Sequence, residues 1–384
     1  MLPADEVSPM PLTPNRRAVI AASLATTLMP VAARARQAPA PGDDAIARLY
    51  RNAMVIDGNL VGPFDDAAPL DRDTADQVRS SGLTAFKLSI GGSTGGHDAT
   101  NAEIAALDTA ISLSPDVYMN IRTAADLLEA KHTGRVGVIY SFEGVDMLDG
   151  QVDTIDHFSA LGVRVMQLSY NTASPFASGV MVPPPSSGLT PLGHAAVARM
   201  NRLGVTLDIS HADEPSSLAA IAASSRPVAI THAGCDAVYP HPRNKSDAVL
   251  KAVADSGGVV GIYGLSYISA GPEQQSLDDY LAHMLHALAV CGEDHVGIGS
   301  DALLTAFDTS PDSMAEWDAS IAARAAAGVA APGEGRPPFV TGLNRPDRPA
   351  IIARALLDRG QPVRVVEKIL GTNFQRVFAE TWAV

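Results

Sequence analysis

The chain reads as an α/β protein folded as a (β/α)8 TIM barrel, and three observations predict that class. Eight short runs rich in Val, Ile, Leu and aromatic residues recur from residue 54 onward. Helix-like segments separate them, which is the rhythm of a parallel sheet closed into a barrel. No Gly-x-Gly-x-x-Gly turn follows the first run, as a doubly wound open sheet with a dinucleotide site would need.

The runs are 54–59 (MVIDGN), 83–92 (LTAFKLSIGG), 136–144 (VGVIYSFEG) and 163–171 (VRVMQLSYN), then 205–211 (VTLDISH), 227–234 (PVAITHAG), 258–265 (GVVGIYGL) and 295–301 (HVGIGSD). Between the fourth and fifth, residues 190–204 carry helix punctuation. Thr190 is placed to cap, Pro191 takes the first helical position and Gly204 ends the helix. After the eighth run, residues 302–346 are rich in Ala, Pro and Gly and read as a long loop with some helix. Two closing helices are expected over 348–360 and 362–382. Residues 45–384 are therefore expected to form one barrel domain with C-terminal helices.

Hydrophobic residues make up 46% of the chain and charged ones only 18%, so a sizeable core is expected. The net charge is −14. An acidic surface argues against nucleic acid, whose phosphates need a basic footprint. Residues 1–40 look like an export signal. Arg16 and Arg17 precede an apolar run over 18–29, and small residues with Ala-x-Ala spacing follow at 33–35 and 38–40. The paired arginines give it a twin-arginine character and point to the periplasm. The apolar run is short for a bilayer span, and no later stretch is apolar enough for one.

Cys235 and Cys291 form no Cys-x-x-Cys pair, which removes cysteine-based zinc sites. Cys235 follows the sixth run and Cys291 precedes the eighth, so the two belong to opposite barrel faces. A strand spans roughly 20 Å, while a disulfide needs Cα atoms within about 7 Å. No disulfide is expected.

In such a barrel the carboxyl ends of the strands build the active site. The polar residues at those ends are Glu143, Tyr170, His211, His232 and Asp301. Taken singly, each has an ordinary use: a satisfied histidine, a turn glutamate, an aspartate capping the next helix. Together they put two imidazoles and two carboxylates in one mouth, a natural divalent-metal site. A metal there lowers the pKa of a bound water and polarises a carbonyl. Arg243, just after the sixth run, would hang over the same mouth, where a guanidinium can fork onto a carboxylate. His194, His283 and His286 fall within helical patterns and read as surface or packing residues, and His97 as a solvated one.

These residues also carry a resemblance. GLTPLGHAAVARMNRLGVTLDISHA, followed by PVAITHAG, HPRNKSD, VGIGSD and LGTNFQRVF, resembles the membrane (renal-type) dipeptidase family of metallopeptidases, from about residue 54 to the C-terminus. The resemblance implies an amidohydrolase-type barrel, two zinc ions and hydrolysis of dipeptides, often with a D-residue at the C-terminal position. It implies that Glu143 bridges the metals and that His211 and His232 complete the second site. Arg243 would hold the substrate carboxylate and Asp301 would manage protons. Tyr170 falls where mammalian members have a substrate-contacting histidine, and its hydroxyl could donate to the substrate oxyanion.

One departure stands out. The family reads Asp-Gly-His-x-Asp where this chain reads Asp57-Gly58-Asn59-Leu60-Val61, so the His and second Asp of the first metal site are absent. Asn59 and Asp57 are left as weak candidates for that site. Glu143, His211 and His232 still make a full ligand count for one catalytic zinc. The expectation is a one-zinc dipeptidase with a second site in doubt and a small peptide substrate, leaving a homodimer open. The alternatives are a metal-dependent amidohydrolase on another small amide or a lactone, or a weakly active or inactive relative that binds peptides.

Overall fold

The computed structural model describes residues 43–92 and 95–383. The expected export segment over 1–40 lies outside the described residues. Eight parallel strands correspond one to one with the eight runs: β1 Ile56–Asp57, β2 Ala85–Ile90, β3 Val136–Phe142, β4 Val163–Met166, β5 Thr206–Leu207, β6 Ala229–Ala233, β7 Val259–Ile262 and β8 Val296–Ile298. They pair in the order β5-β4-β3-β2-β1-β8-β7-β6. A parallel bridge between Asp208 and Ala229 joins the two ends, with Ile209 N donating to Ala229 O at 2.9 Å. The ring is closed in sequence order, and Ala40–Val384 is one unit.

Several strands are shorter than the runs that predict them. β5 keeps two residues of 205–211, because the backbone leaves the ladder to deliver Asp208, Ser210 and His211 to the mouth. Two pieces carry no signal in the sequence. Tyr118–Asn120 pairs beside the start of β3, and Leu60–Val61 pairs in parallel with Ala302–Leu303 above the barrel. Runs of two or three residues are too short to show a period.

The helix Pro191–Leu203 has the expected punctuation: the Thr190 hydroxyl accepts from Gly193 N at 3.1 Å and Gly204 takes a left-handed conformation. Residues 302–346 contain a 16-residue helix, Pro311–Ala326, capped by Ser310. The segment 362–382 is broken rather than continuous. It runs as Val363–Glu367, a wide turn over Lys368–Thr372, then Asn373–Trp382. The break is at Gly371, where a Cβ would sit 2.6 Å from Met54 O and 2.7 Å from Ile56 N, so only glycine lets the turn lie against β1.

That docking closes the floor of the barrel. Phe374, Val377, Phe378 and Trp382 pack with Ile56, Ala85, Ile139, Val165, Ala229 and Val259 from the strand interiors, while the larger core lies between strands and helices. The site sits at the other end. Beneath it the Thr231 carbonyl is crowded by Gly58, Gly261 and Gly299, where added Cβ atoms would lie 2.4, 2.1 and 1.9 Å from it. The pairing of β6 with β7 slips between Ile230 and Ala233, and His232 lies inside that slip. Irregularities of this kind re-aim side chains beside active sites. Cys235 and Cys291 are both free and buried, and His283 is a packing residue that accepts from Cys235 N at 2.8 Å.

Candidate metal centre

Glu143, His211 and His232 follow or end β3, β5 and β6 and converge at the barrel mouth. Their ligand atoms all lie within 4.8 Å of one another. The two imidazole Nε2 atoms are 3.0 Å apart, and Glu143 Oε2 is 3.7 Å from His211 Nε2.

The partners on the far side of each ring assign its tautomer. Asn171 Nδ2 donates to Val329 O at 2.8 Å, so its Oδ1 faces His211 Nδ1 at 2.7 Å and that nitrogen carries a proton. The Thr231 hydroxyl donates to Asp208 Oδ2 at 2.6 Å, so its oxygen accepts from His232 Nδ1 at 2.9 Å. Both Nε2 lone pairs therefore point into the centre. Burial lowers both imidazoles well below the usual range, helped by Arg243 at His211 and by Lys87 at His232, so both are held neutral. Two neutral imidazoles and a carboxylate with an open side fit a catalytic zinc.

Asp57 and Asn59, the weak candidates for another metal site, have other work. Asp57 Oδ1 accepts from Asn59 N at 3.0 Å and Ser300 N at 2.8 Å, and Oδ2 accepts from the Ser300 hydroxyl, so Asp57 ties β1 to the end of β8. The Asn59 amide donates to Glu143 Oε1 at 2.9 Å and to Asp301 Oδ1 at 2.8 Å, and its oxygen accepts from Lys87 Nζ at 2.9 Å. Both residues are thus tied into this network, and the metal-donor cluster among the described residues is Glu143, His211 and His232, without Asp57. Val61 is half exposed on the rim rather than inward beside them.

Lys87 is a residue of the site that strand-end reasoning misses, because it lies in the middle of β2. Its side chain is fully buried, and Nζ also lies 3.3 Å from Glu143 Oε1. The signal was a lysine inside the apolar run AFKLSI, since lysine is almost never fully buried without a partner.

Asp301 takes a left-handed backbone conformation, φ 52°, uncommon away from glycine, and its N–H donates to Asn59 O at 2.8 Å. With Oδ1 held by Asn59, Oδ2 faces His232 Nε2 at 3.9 Å. Burial, then the nearby Glu143 carboxylate, raises its carboxyl well above the ordinary range.

A cavity of about 350 Å³ opens above these groups, within the roughly 300–1,000 Å³ common for small-molecule clefts. Arg243 is buried at its edge. Nη1 donates to Ser210 O and the guanidinium lies over the Tyr263 ring, while Nη2 has no partner among the described residues. Tyr170 stacks on His211 with centroids 4.2 Å apart, and its hydroxyl accepts from Arg324 Nη2 at 3.0 Å. Arg324 pairs with Glu334, which also accepts from the Tyr267 hydroxyl at 2.7 Å. Arg324, Glu334 and Trp317 come from the segment 302–346, which thus forms one wall of the cavity.

A sequence profile described as membrane dipeptidase (Peptidase family M19) matches residues 70–320. Dipeptidase tcpJ of Claviceps purpurea is 28% identical over 283 residues, which is 73% of this chain and 59% of that protein. An uncharacterized protein in the pqqA 5' region of Klebsiella pneumoniae is 29% identical over 271 residues, 68% of this chain and 88% of that one. An amidohydrolase structure from Pseudomonas aeruginosa matches with a TM-score of 0.74 at 29% identity, over 88% of this chain and 99% of its own. A metallo peptidase from Rhodobacter sphaeroides, solved with a phosphinate mimic of the dipeptide L-Ala-D-Ala, matches with a TM-score of 0.64 at 22% identity, over 86% and 99%. At that identity the likeness is one of fold.

Proposed function

The chain belongs to the membrane dipeptidase family, peptidase family M19, and from that premise we propose that it is a zinc-dependent dipeptidase acting on dipeptides with a free C-terminal carboxylate. One observation carries the reading. The three-donor set and the unpartnered Nη2 of Arg243 belong to the same mouth, beside a cavity of dipeptide scale.

Glu143, His211 and His232 would hold the zinc, which supplies activation of a water and polarisation of the scissile carbonyl. Arg243 binds the terminal carboxylate. Ser210 O fixes one arm of the guanidinium, and the other, buried and without a partner among the described residues, is the arm left for the carboxylate. Asp301 moves the proton. Its Oδ1 is tied to Asn59, so Oδ2 takes a proton from the attacking water and returns it to the leaving amine. Tyr170 donates its hydroxyl proton toward the carbonyl oxygen, since Arg324 occupies its lone pair. The wall carrying Trp317 and Arg324 excludes water. The L-Ala-D-Ala mimic bound by the Rhodobacter protein supports a D-residue at the C-terminal position. Arg16 and Arg17 ahead of an apolar run support export to the periplasm.

The test is hydrolysis by the zinc-loaded full chain of a panel of L,L- and L,D-dipeptides and their C-terminal amides. Zinc-dependent cleavage of free dipeptides, with amides cleaved poorly, is expected. A loaded enzyme that cleaves no free dipeptide sinks the reading.

A further inference from the structure

We propose that Lys87, held by Asn59, occupies the place of a second metal ion, so that the centre works with one metal and one lysine side by side. The inference rests on the one-metal reading above and deepens it.

The groups around Asn59 are already committed to one another. Its two amide hydrogens go to Glu143 Oε1 and Asp301 Oδ1, and its oxygen accepts from Lys87 Nζ. Its backbone is equally committed, with N donating to Asp57 Oδ1 and O accepting from Asp301 N. A metal here would meet N–H groups where it needs lone pairs. The carboxylates still need a cation, because two partly buried negative charges held on one amide repel. Lys87 supplies it directly to Glu143 at 3.3 Å, and through the Asn59 amide to Asp301. A fully buried lysine in turn needs such partners.

The arrangement divides the labour of Glu143. Oε1 is taken by Asn59 and Lys87 and lies 3.9 Å from His232 Nε2, while Oε2, bonded to neither, faces His211 Nε2 at 3.7 Å. Glu143 therefore offers a single oxygen to a single metal instead of bridging two. Lys87 touches neither the cavity nor a substrate, so it is a positioning residue. It holds the Glu143 ligand oxygen and, through Asn59, the proton carrier Asp301.

The experiment measures zinc per chain and cobalt-substituted EPR spectra on the purified full-length protein, with the metal alone as probe. Wild type is expected to hold one ion and give an uncoupled Co(II) signal. Asn59→His is expected to stay at one ion while Lys87 remains, and to gain a second only when Lys87→Ala is added. Lys87→Met should keep one ion and lose about 10–100-fold in kcat with KM little changed, and Lys87→Arg should recover part of the loss. Two ions or a coupled Co(II) pair in the wild type would overturn the proposal without need of any variant. So would a second ion in Asn59→His, an Asn59→His/Lys87→Ala variant that stays at one, or a wild-type kcat in Lys87→Met. The ion count needs no substrate, so failure to cleave dipeptides would strike the functional reading alone.

Discussion

His211 and His232 face each other with their Nε2 atoms 3.0 Å apart and their Nδ1 protons committed to Asn171 and Thr231. Two lone pairs at that distance call for a cation between them. Removing either imidazole leaves two protein donors, too few for a catalytic zinc. His211→Ala and His232→Ala are each expected to lose stoichiometric zinc, while circular dichroism stays that of the wild type. A single-histidine variant that retains tight zinc would show that the donor set is misassigned.

The same burial sets a pH dependence. Both imidazoles are held below the ordinary value of about 6.5, by burial first, then by Arg243 at His211 and Lys87 at His232. Below that pH the unfolded chain takes up protons at these rings that the folded chain refuses. Their contribution to metal-free stability is therefore full above about pH 6.5 and is lost as pH falls through the folded values. Asp301 works with the opposite sign. Its carboxyl is raised by burial and by Glu143, so its contribution is lost as pH rises. A comparison isolates the histidines. Urea midpoints of the metal-free wild type should fall more between pH 7 and 5 than those of His211→Gln/His232→Gln, and parallel curves would count against the assignment.

Arg243→Lys keeps a positive charge but loses the planar fork. Nη1 is anchored to Ser210 O and Nη2 is the free arm, so the loss should fall on the substrate's carboxylate. KM for free dipeptides should rise about tenfold or more, as expected for one charge-assisted hydrogen bond. KM for the C-terminal amides should barely move. An equal rise for both would take Arg243 out of carboxylate binding.

Much of this architecture was legible because its signals are local. β3 is a seven-residue apolar run, and Thr190, Pro191 and Gly204 punctuate their helix whatever surrounds them. The polar strand ends were legible for a similar reason, since a barrel topology alone carries Glu143, His211, His232 and Asp301 to one face. What could not be read depends on register across strands. Lys87 is visible as a lysine in an apolar run, but its pairing with Asn59 and Glu143 exists only once β1, β2 and β3 lie side by side. The break at Gly371 was hidden because the apolar period runs on through it, and only the approach of β1 forces the turn. The Arg324–Tyr170 contact joins residues 154 apart in the chain, across a wall that composition marked as a long loop with some helix and no stated place in the mouth.

Tyr170 offers the sharpest test of what that wall does. Its ring stacks on His211, and its hydroxyl oxygen accepts from Arg324, which leaves the hydroxyl proton free to point at a ligand. Burial, then the Glu143 carboxylate, pushes the phenol up to about 12, so it stays protonated across the working pH range and can only donate from that hydrogen. Tyr170→Phe keeps the ring on His211 and removes the donor. If the hydroxyl stabilises the developing oxyanion, kcat should fall by up to about 10²–10³-fold. Zinc content should stay at the wild-type level, and KM should change little because the ground-state carbonyl needs the donor less than the oxyanion does. Arg324→Met supplies the complement. It leaves the tyrosine in place but frees the hydroxyl to turn, so kcat should fall by less than in Tyr170→Phe. A Tyr170→Phe enzyme with wild-type kcat would reduce the tyrosine to a flat surface that orients His211, and the oxyanion donor would then have to be sought elsewhere in the mouth.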